Sequence, residues 1–215
     1  MEIIIKFLIS YLLGSISGSM LIGKIKGVDI RNLGSGNAGG TNAFRTMGAQ
    51  FAILVLFIDI LKGFIAVEYI SNINLNQIIY YNSININLIS ILCGCGAVLG
   101  HVYPIYYNFK GGKGAGTMIG VLLTLFPLSL AICLASWIII LIITGYVGFS
   151  TIIAGIVLPI STAIYYEGGI FTYFGTFSVL ICFFIIFTHR SNISRMMDGS
   201  ENRFTKAMIF NKNNH

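Results

Sequence analysis

The chain is organised as long apolar runs separated by short polar segments rich in glycine. The first run is Ile3–Gly23, followed by the polar stretch Lys24–Gln50 and a second run, Phe51–Ile70. Ser71–Asn87, dominated by Asn and Ile, leads to a third run, Leu88–Tyr107, and then to the polar segment Asn108–Gly116. A long apolar block, Thr117–Phe187, precedes the polar tail Thr188–His215. A bilayer core is crossed by about 20 apolar residues in a helix, so each of the first three runs is long enough for one crossing. Two helices of ordinary length would leave part of Thr117–Phe187 unplaced. Four shorter ones fit, with breaks near Pro127 to Ser136, Gly145 to Ser150 and Glu167 to Gly169.

The charges assign the sides of the membrane. Lys24, Lys26, Arg31 and Arg45 mark the first polar segment, and Lys110 and Lys113 the third. Arg190, Arg195, Arg203, Lys206 and Lys212 mark the tail. Cytoplasmic loops carry the excess of Lys and Arg, so these three segments are expected inside and uncharged Ser71–Asn87 outside. Two crossings separate the first two basic segments, and an even number must separate the last two. The pattern therefore predicts an all-α integral membrane protein, a polytopic bundle of seven transmembrane helices with its N-terminus outside, five being the alternative. It forms a single membrane-embedded domain over residues 1–215. Glu2 and Lys6 nearly cancel and no A-x-A-like site follows the first run, which reads as a retained helix and not a cleaved signal.

Composition sharpens this picture. Of 215 residues, 56% are hydrophobic and only 9% charged, with a mean hydropathy of +0.86, whereas a soluble surface needs roughly a quarter charged. Between Thr117 and Phe187 the single formal charge is Glu167. The net charge of +6 lies in short segments between apolar runs, the pattern of cytoplasmic loops in a membrane protein, so no nucleic-acid partner is expected. Cys93, Cys95, Cys133 and Cys182 all fall in apolar stretches and read as small packing hydrophobes. Gly14, Ser15, Gly18 and Ser19 mark a surface where helices approach closely. Asp59 and Lys62, three apart on one face of the second run, are expected to pair with each other.

Three polar segments can carry chemistry. The first reads Gly34-Ser35-Gly36-Asn37-Ala38-Gly39-Gly40-Thr41-Asn42, with Arg45 beyond. Its glycines let the backbone curl so that N–H groups face one concavity suited to phosphate. Ser35, Asn37, Thr41 and Asn42 add donors, and Arg45 a permanently charged fork. It is not a Walker A loop, because Gly40 stands where that template needs Lys. The second segment is Gly100-His101-Val102-Tyr103-Pro104 followed by Phe109-Lys110-Gly111-Gly112-Lys113-Gly114. It opens directly into the next helix, whose N-terminus favours anions. The third contains His189 and Asn192, three apart, then Arg195 and Glu201. A histidine there can hold or deprotonate a substrate hydroxyl. No G-x-S-x-G elbow is present, neither His101 nor His189 has an acid at H-x-x-x-x-D spacing, and carboxylates are too few for a two-metal site.

These strings resemble, in order and spacing, the three signature motifs of the acyl-phosphate-dependent glycerol-3-phosphate acyltransferase (PlsY) family, and the resemblance spans nearly the whole chain. It implies transfer of a fatty acyl group from acyl phosphate to the 1-position of glycerol 3-phosphate, giving lysophosphatidate and phosphate, the first acylation of bacterial phospholipid synthesis. By position it implies catalytic roles for Ser35, Arg45, Lys113, His189 and Asn192. Substrate or phosphate binding falls to Gly34, Gly36, Asn37, Gly39, Thr41, Asn42, Gly111, Gly112 and Gly114, and Glu201 is expected to be structural. No cofactor or metal is expected. The implied partners are the two substrates, membrane lipid and a soluble enzyme that makes acyl phosphate. The implied location is the bacterial cytoplasmic (inner) membrane, with the three basic segments gathered on its cytoplasmic face. Gly148 departs from the family, which often has Ser there. The rival reading is a small transporter of an anionic metabolite, which would place ionisable groups at mid-membrane, where Asp59 and Lys62 are the main candidates.

Overall fold

The computed structural model describes residues 1–74 and 86–209, in two compact units, Met1–Phe126 and Pro127–His215. Most of the expected outward loop (75–85), Lys212 and the side chain of Lys206 lie outside the described residues. Among the described residues the secondary structure is helical, with no strand.

The first unit begins with α1 (Glu2–Gly14) and α2 (Gly18–Ile25). The first apolar run is therefore not one helix, as expected, but two, set at 40°. Ser17 starts the second by accepting from the Met20 N–H at 3.5 Å. After a short turn at Ile30–Asn32 come α3 (Gly40–Met47) and α4 (Ala49–Ile65), the latter continuing to Ile70 as a turn of π-helix. Next is α5 (Ile86–Val102), and then α6 (Ala115–Leu125).

Packing within this unit pairs α1 with α5 and α4 with α6. A Cβ on Gly14 would collide with the Ala97 backbone, one on Gly100 with the backbone of α1, and one on Gly120 with the Ile60 backbone. Small residues let helices touch backbone to backbone, the form of association lipid favours because burial alone adds little there. Gly14 and Gly18 thus have the packing role expected of them, Gly18 lying against Val55 of α4.

The second unit contains α7 (Pro127–Thr144), α8 (Val147–Tyr165), α9 (Tyr173–Thr188) and α10 (Arg190–Met197). α8 packs against both α7 and α9. Ser129 and Ser161 share a 2.8 Å hydrogen bond, and Gly155 lies against Ile185. The tail folds back over the α7–α8 turn, where the Phe204 N–H donates to Gly145 O at 2.7 Å and Arg203 stacks 4.7 Å from the Tyr146 ring.

Four of these helices, each with any continuous turn counted, are long and apolar enough to cross a bilayer, or six if each bent pair (α1 with α2, α9 with α10) is one span. The block Thr117–Phe187 does divide into four helices, with breaks at Phe126, Gly145–Tyr146 and residues 166–172. Its first member is shorter than expected. α6 has 11 residues, about 16 Å of helix against a core of about 30 Å. Pro127, which has no N–H to donate, opens the next helix and closes this one off.

Candidate functional site

In the first unit the glycine-rich segment Gly34–Asn42 is a tight loop entering α3. Gly34 and Gly36 have φ of +56° and +71°, a conformation that a side chain makes costly. Asn42 organises the loop from beneath and is 2% exposed. Its Oδ1 accepts from the Ser35 N–H at 2.9 Å, and its Nδ2 donates to Ile30 O at 3.2 Å and Leu33 O at 2.9 Å. The Gly36 N–H donates to Leu33 O at 3.0 Å. The expectation that loop N–H groups and the Asn42 amide would face a phosphate is therefore corrected in part. The N–H groups of Ser35 and Gly36 and the Asn42 amide hold the loop's own shape.

What the loop presents outward is different. On α3, Asn42 and Ala43 are buried, whereas Thr41 and Arg45 are exposed and one turn apart, so they share a face. Ser35 and Gly36 are exposed as well, and Asn37 and Gly39 half-buried. Asn37 lies against Gly39, where a Cβ would run into its amide nitrogen. Gly39, the residue before α3, makes no side-chain cap, so the N–H groups of the first turn lack that partner.

The second glycine-rich segment folds back on the end of α5. Gly111 N–H donates to Val102 O at 3.2 Å and Gly112 N–H to His101 O at 3.1 Å. Gly114, at φ +93°, turns the chain into α6. Half-buried Lys113 sits immediately before that turn.

Arg31 ties the two segments together. Its Nη2 pairs with Asp29 Oδ2 at 2.7 Å, while its Nη1 reaches across to Tyr107 O at 3.2 Å. The guanidinium hydrogen bond to Asp29 holds that carboxyl below its ordinary range against the opposing pull of burial. A cavity of about 400 Å³ opens between the segments, lined by Asp29, Arg31, Asn32, Gly36, Asn108, Lys110 and Gly111. Of the expected site residues only Gly36 and Gly111 line it.

Beneath them lies a buried polar cluster. Lys62 Nζ is 2.9 Å from Asp59 Oδ1, the pairing expected, but it also contacts His101 Nδ1 at 2.9 Å and donates to Ile16 O at 2.9 Å. Asp59 Oδ1 in turn accepts from the Gly18 N–H at 3.4 Å. The pair thus satisfies backbone groups left open where α1 breaks from α2, a requirement that lipid makes strict.

The second unit holds the remaining expected residues. His189 and Asn192 do not share one helix. His189 is the junction of α9 and α10, where the axis bends by 51°. Its Nδ1 is 2.8 Å from Ile185 O, and a carbonyl can only accept. Nδ1 therefore carries the proton, and in the neutral ring Nε2 is the basic nitrogen. Asn192 Nδ2 donates to Glu201 Oε1 at 2.9 Å, and Glu201 Oε2 also accepts from Arg195 Nε at 2.6 Å. Glu201, 6% exposed, braces Asn192 from behind. A Cβ on Gly148 would meet Asn192 Nδ2 at 2.6 Å, so the glycine leaves room for that amide.

A family model described as glycerol-3-phosphate acyltransferase matches residues 4–199. The chain belongs to this family. It is 39% identical over 197 residues to the glycerol-3-phosphate acyltransferase of Fusobacterium nucleatum, covering 91% of this chain and 95% of that one. With the counterpart from Chlorobium phaeovibrioides it shares 38% over 221 residues, covering 92% and 94%. The crystal structure of PlsY (YgiH), an integral membrane glycerol 3-phosphate acyltransferase, in its glycerol 3-phosphate form superposes with a TM-score of 0.79 at 34% identity, over 94% of this chain and 95% of that one. The lysophosphatidic acid form gives 0.77 at 33%, over 94% of both.

As a glycerol-3-phosphate acyltransferase family member, the protein is a membrane acyltransferase, and the transporter reading is set aside. Two features of its site escaped sequence reasoning. The Asp29–Arg31 strap gives no periodic signal, because its residues lie two apart in a loop. His101 was visible in a motif, but its partners Asp59 and Lys62 come from another helix.

Proposed function

We propose that the protein transfers a fatty acyl group from acyl phosphate to the 1-position of glycerol 3-phosphate, giving lysophosphatidate and inorganic phosphate. The observation that carries this reading is the outward face of the first glycine-rich loop, where Ser35, Thr41 and Arg45 stand exposed beside the uncapped start of α3. A planar cation, hydroxyls and helix N–H groups together suit a phosphate dianion. The names of the relatives and the two ligand forms of PlsY support the substrate and product classes.

In the proposed reaction the glycerol hydroxyl oxygen bonds to the acyl carbon and the bond from that carbon to the phosphate oxygen breaks. The hydroxyl proton leaves with the phosphate. Arg45 and Lys113 offset charge on the phosphoryl groups, and His189, through Nε2, accepts a hydrogen bond from the hydroxyl and orients it. Asn192, braced by Glu201, fixes the neighbouring substrate oxygen. An acyl phosphate is already activated, so positioning and charge stabilisation lower the barrier without a covalent enzyme intermediate.

The proposal includes seven crossings with the N-terminus outside and the site on the cytoplasmic side of the bacterial inner membrane. The parity depends on α6. With α6 spanning, four helices separate Lys113 from His189. Without it, three do, and the tail cations would lie outside against the positive-inside rule. Single cysteines at Lys110 and Ser200, probed in intact cells with an impermeant thiol reagent, test this. Both should stay unlabelled, and labelling of either refutes the topology. A soluble enzyme that makes acyl phosphate would supply the donor.

Purified protein in detergent, given glycerol 3-phosphate with either acyl phosphate or acyl-CoA, tests the reaction. Lysophosphatidate should form with acyl phosphate only. Product from acyl-CoA alone would overturn the donor assignment.

A further inference from the structure

From the geometry we infer that His101, held by Lys62 and Asp59, is a positioning residue for Lys113 in acyl transfer. This rests on the reading of Lys113 as a phosphate ligand.

The three side chains of the cluster are each about 3% exposed, and His101 stands in the last turn of α5, where the second glycine-rich segment folds back. An ammonium group has three protons to donate. Around Lys62 stand three acceptors at 2.9 Å: Asp59 Oδ1, Ile16 O and His101 Nδ1. With all three protons so placed, His101 Nδ1 is an acceptor and its proton resides on Nε2. Nδ1 also lies 3.3 Å from Asp59 Oδ1, a longer contact than the one to Lys62. The imidazole is thereby fixed in tautomer and in ring orientation.

The ring's far edge then forms the floor of the lysine loop. A Cβ placed on Gly112 would collide with Nε2, Cε1 and Cδ2 of His101, and one on Gly111 with His101 O and Pro104. The backbone is clamped from the same residue, through Gly112 N–H to His101 O. Lys113 follows Gly112 directly, so the height of the ring sets the path of the chain that carries the ammonium. The same cluster holds Ile16 O and Gly18 N–H at the start of α2, which leads to the first glycine-rich loop. A buried ion pair is costly in lipid unless fully partnered. Here the partners are the backbone of the α1–α2 break and His101, which itself bears on Gly112.

The test uses the full-length protein in detergent, with its lysines reductively methylated using [13C]formaldehyde. The Lys113 signal is assigned by its loss in Lys113→Arg, and exposed Lys24 and Lys26 serve as internal references. Two single variants are compared. His101→Asn keeps an oxygen where Nδ1 accepts from Lys62 but shortens the floor, and Gly112→Ala pushes the loop off the ring.

Both should shift the Lys113 signal and leave those of Lys24 and Lys26 in place. Both should raise KM for glycerol 3-phosphate by about tenfold, with kcat within about threefold, since small displacements of a binding group cost one to two orders of magnitude. In the double variant the added methyl occupies the space the imidazole vacated, and signal and KM should return toward wild type. Unchanged Lys113 signals and KM in both single variants, or purely additive damage in the double, would overturn the inference. If the signals shift and recover as described but wild type forms no lysophosphatidate, the reaction assignment fails and the positioning role stands.

Discussion

Replacing Asn42 isolates the loop's internal order from its contacts with substrate. The side chain is buried and makes three hydrogen bonds, to Ser35 N–H, Ile30 O and Leu33 O. Each is worth about 1 kcal/mol net, so Asn42→Ala removes about 3 kcal/mol of bias toward the ordered loop. At 1.4 kcal/mol per factor of ten, that lowers the population of the competent loop by about 10²-fold if the wild-type loop is only modestly favoured. The core beneath, formed by Ile30, Ala38, Ala43, Phe51, Ala52 and Val55, keeps its side chains. The helices should therefore remain folded while kcat/KM for glycerol 3-phosphate falls by about 10- to 100-fold. Asn42→Asp is a sharper probe. It retains the acceptor for Ser35 N–H but sets a carboxylate oxygen against the Ile30 and Leu33 carbonyls, and it should be at least as damaging as alanine. Steady-state acyl transfer by the purified variants, with circular dichroism as the folding control, measures both. A folded Asn42→Asp protein with wild-type kcat/KM would refute the account of the loop.

Arg45→Ala should reduce acyl transfer by at least about 10²-fold, the usual loss on removing a charge-stabilising donor, while the protein still inserts and folds; normal turnover would sink the phosphate-clamp assignment. Gly148→Ser should lower activity, because a Cβ there meets Asn192 Nδ2 at 2.6 Å and drives the amide from Glu201; unchanged kcat would show that Asn192 can yield without loss. Glu201→Ala should lower the melting temperature as well as kcat, since it strips both Asn192 and Arg195 of a buried acceptor. The Arg31 strap has a pH signature of defined sign. Arg31 depresses the Asp29 carboxyl, so its contribution is whole above the ordinary value near 3.8 and fades as pH falls through the lowered one. The pair is partly solvated, so a shift of under about 1 kcal/mol is expected. Wild type and Asp29→Asn should accordingly converge in stability in acid and differ slightly at neutral pH, a difference that differential scanning fluorimetry can follow.

Much of the molecule was readable along the chain, and where it was not, the cause is specific. Apolar runs longer than about 17 residues announce membrane helices whatever their neighbours. The breaks at Pro127 and Gly145 were foreseeable because proline and glycine act locally. The bend at Ser15–Ser17 was not. Gly14 and Gly18 flank it but read equally well as packing residues between membrane helices, and the bend persists because Lys62 and Asp59, more than 40 residues on, satisfy the backbone groups it exposes. The position of His189 between two helices was hidden for a related reason. A spacing of three describes a helix equally well whether the first residue lies inside it or caps it.

The sequence by itself determined the solvent, the helical class and the family. These follow from hydropathy summed over windows and from motif strings, both properties of the chain read in order. Tertiary structure alone decided how the motif residues divide their labour. Asn42 is turned inward to hold its own loop, Arg31 bridges two loops, His101 supports the glycines before Lys113, and Glu201 braces Asn192. Each of these roles is set by which polar group lies within hydrogen-bonding distance. In all four a partner lies nine or more residues away, beyond the reach of any local pattern.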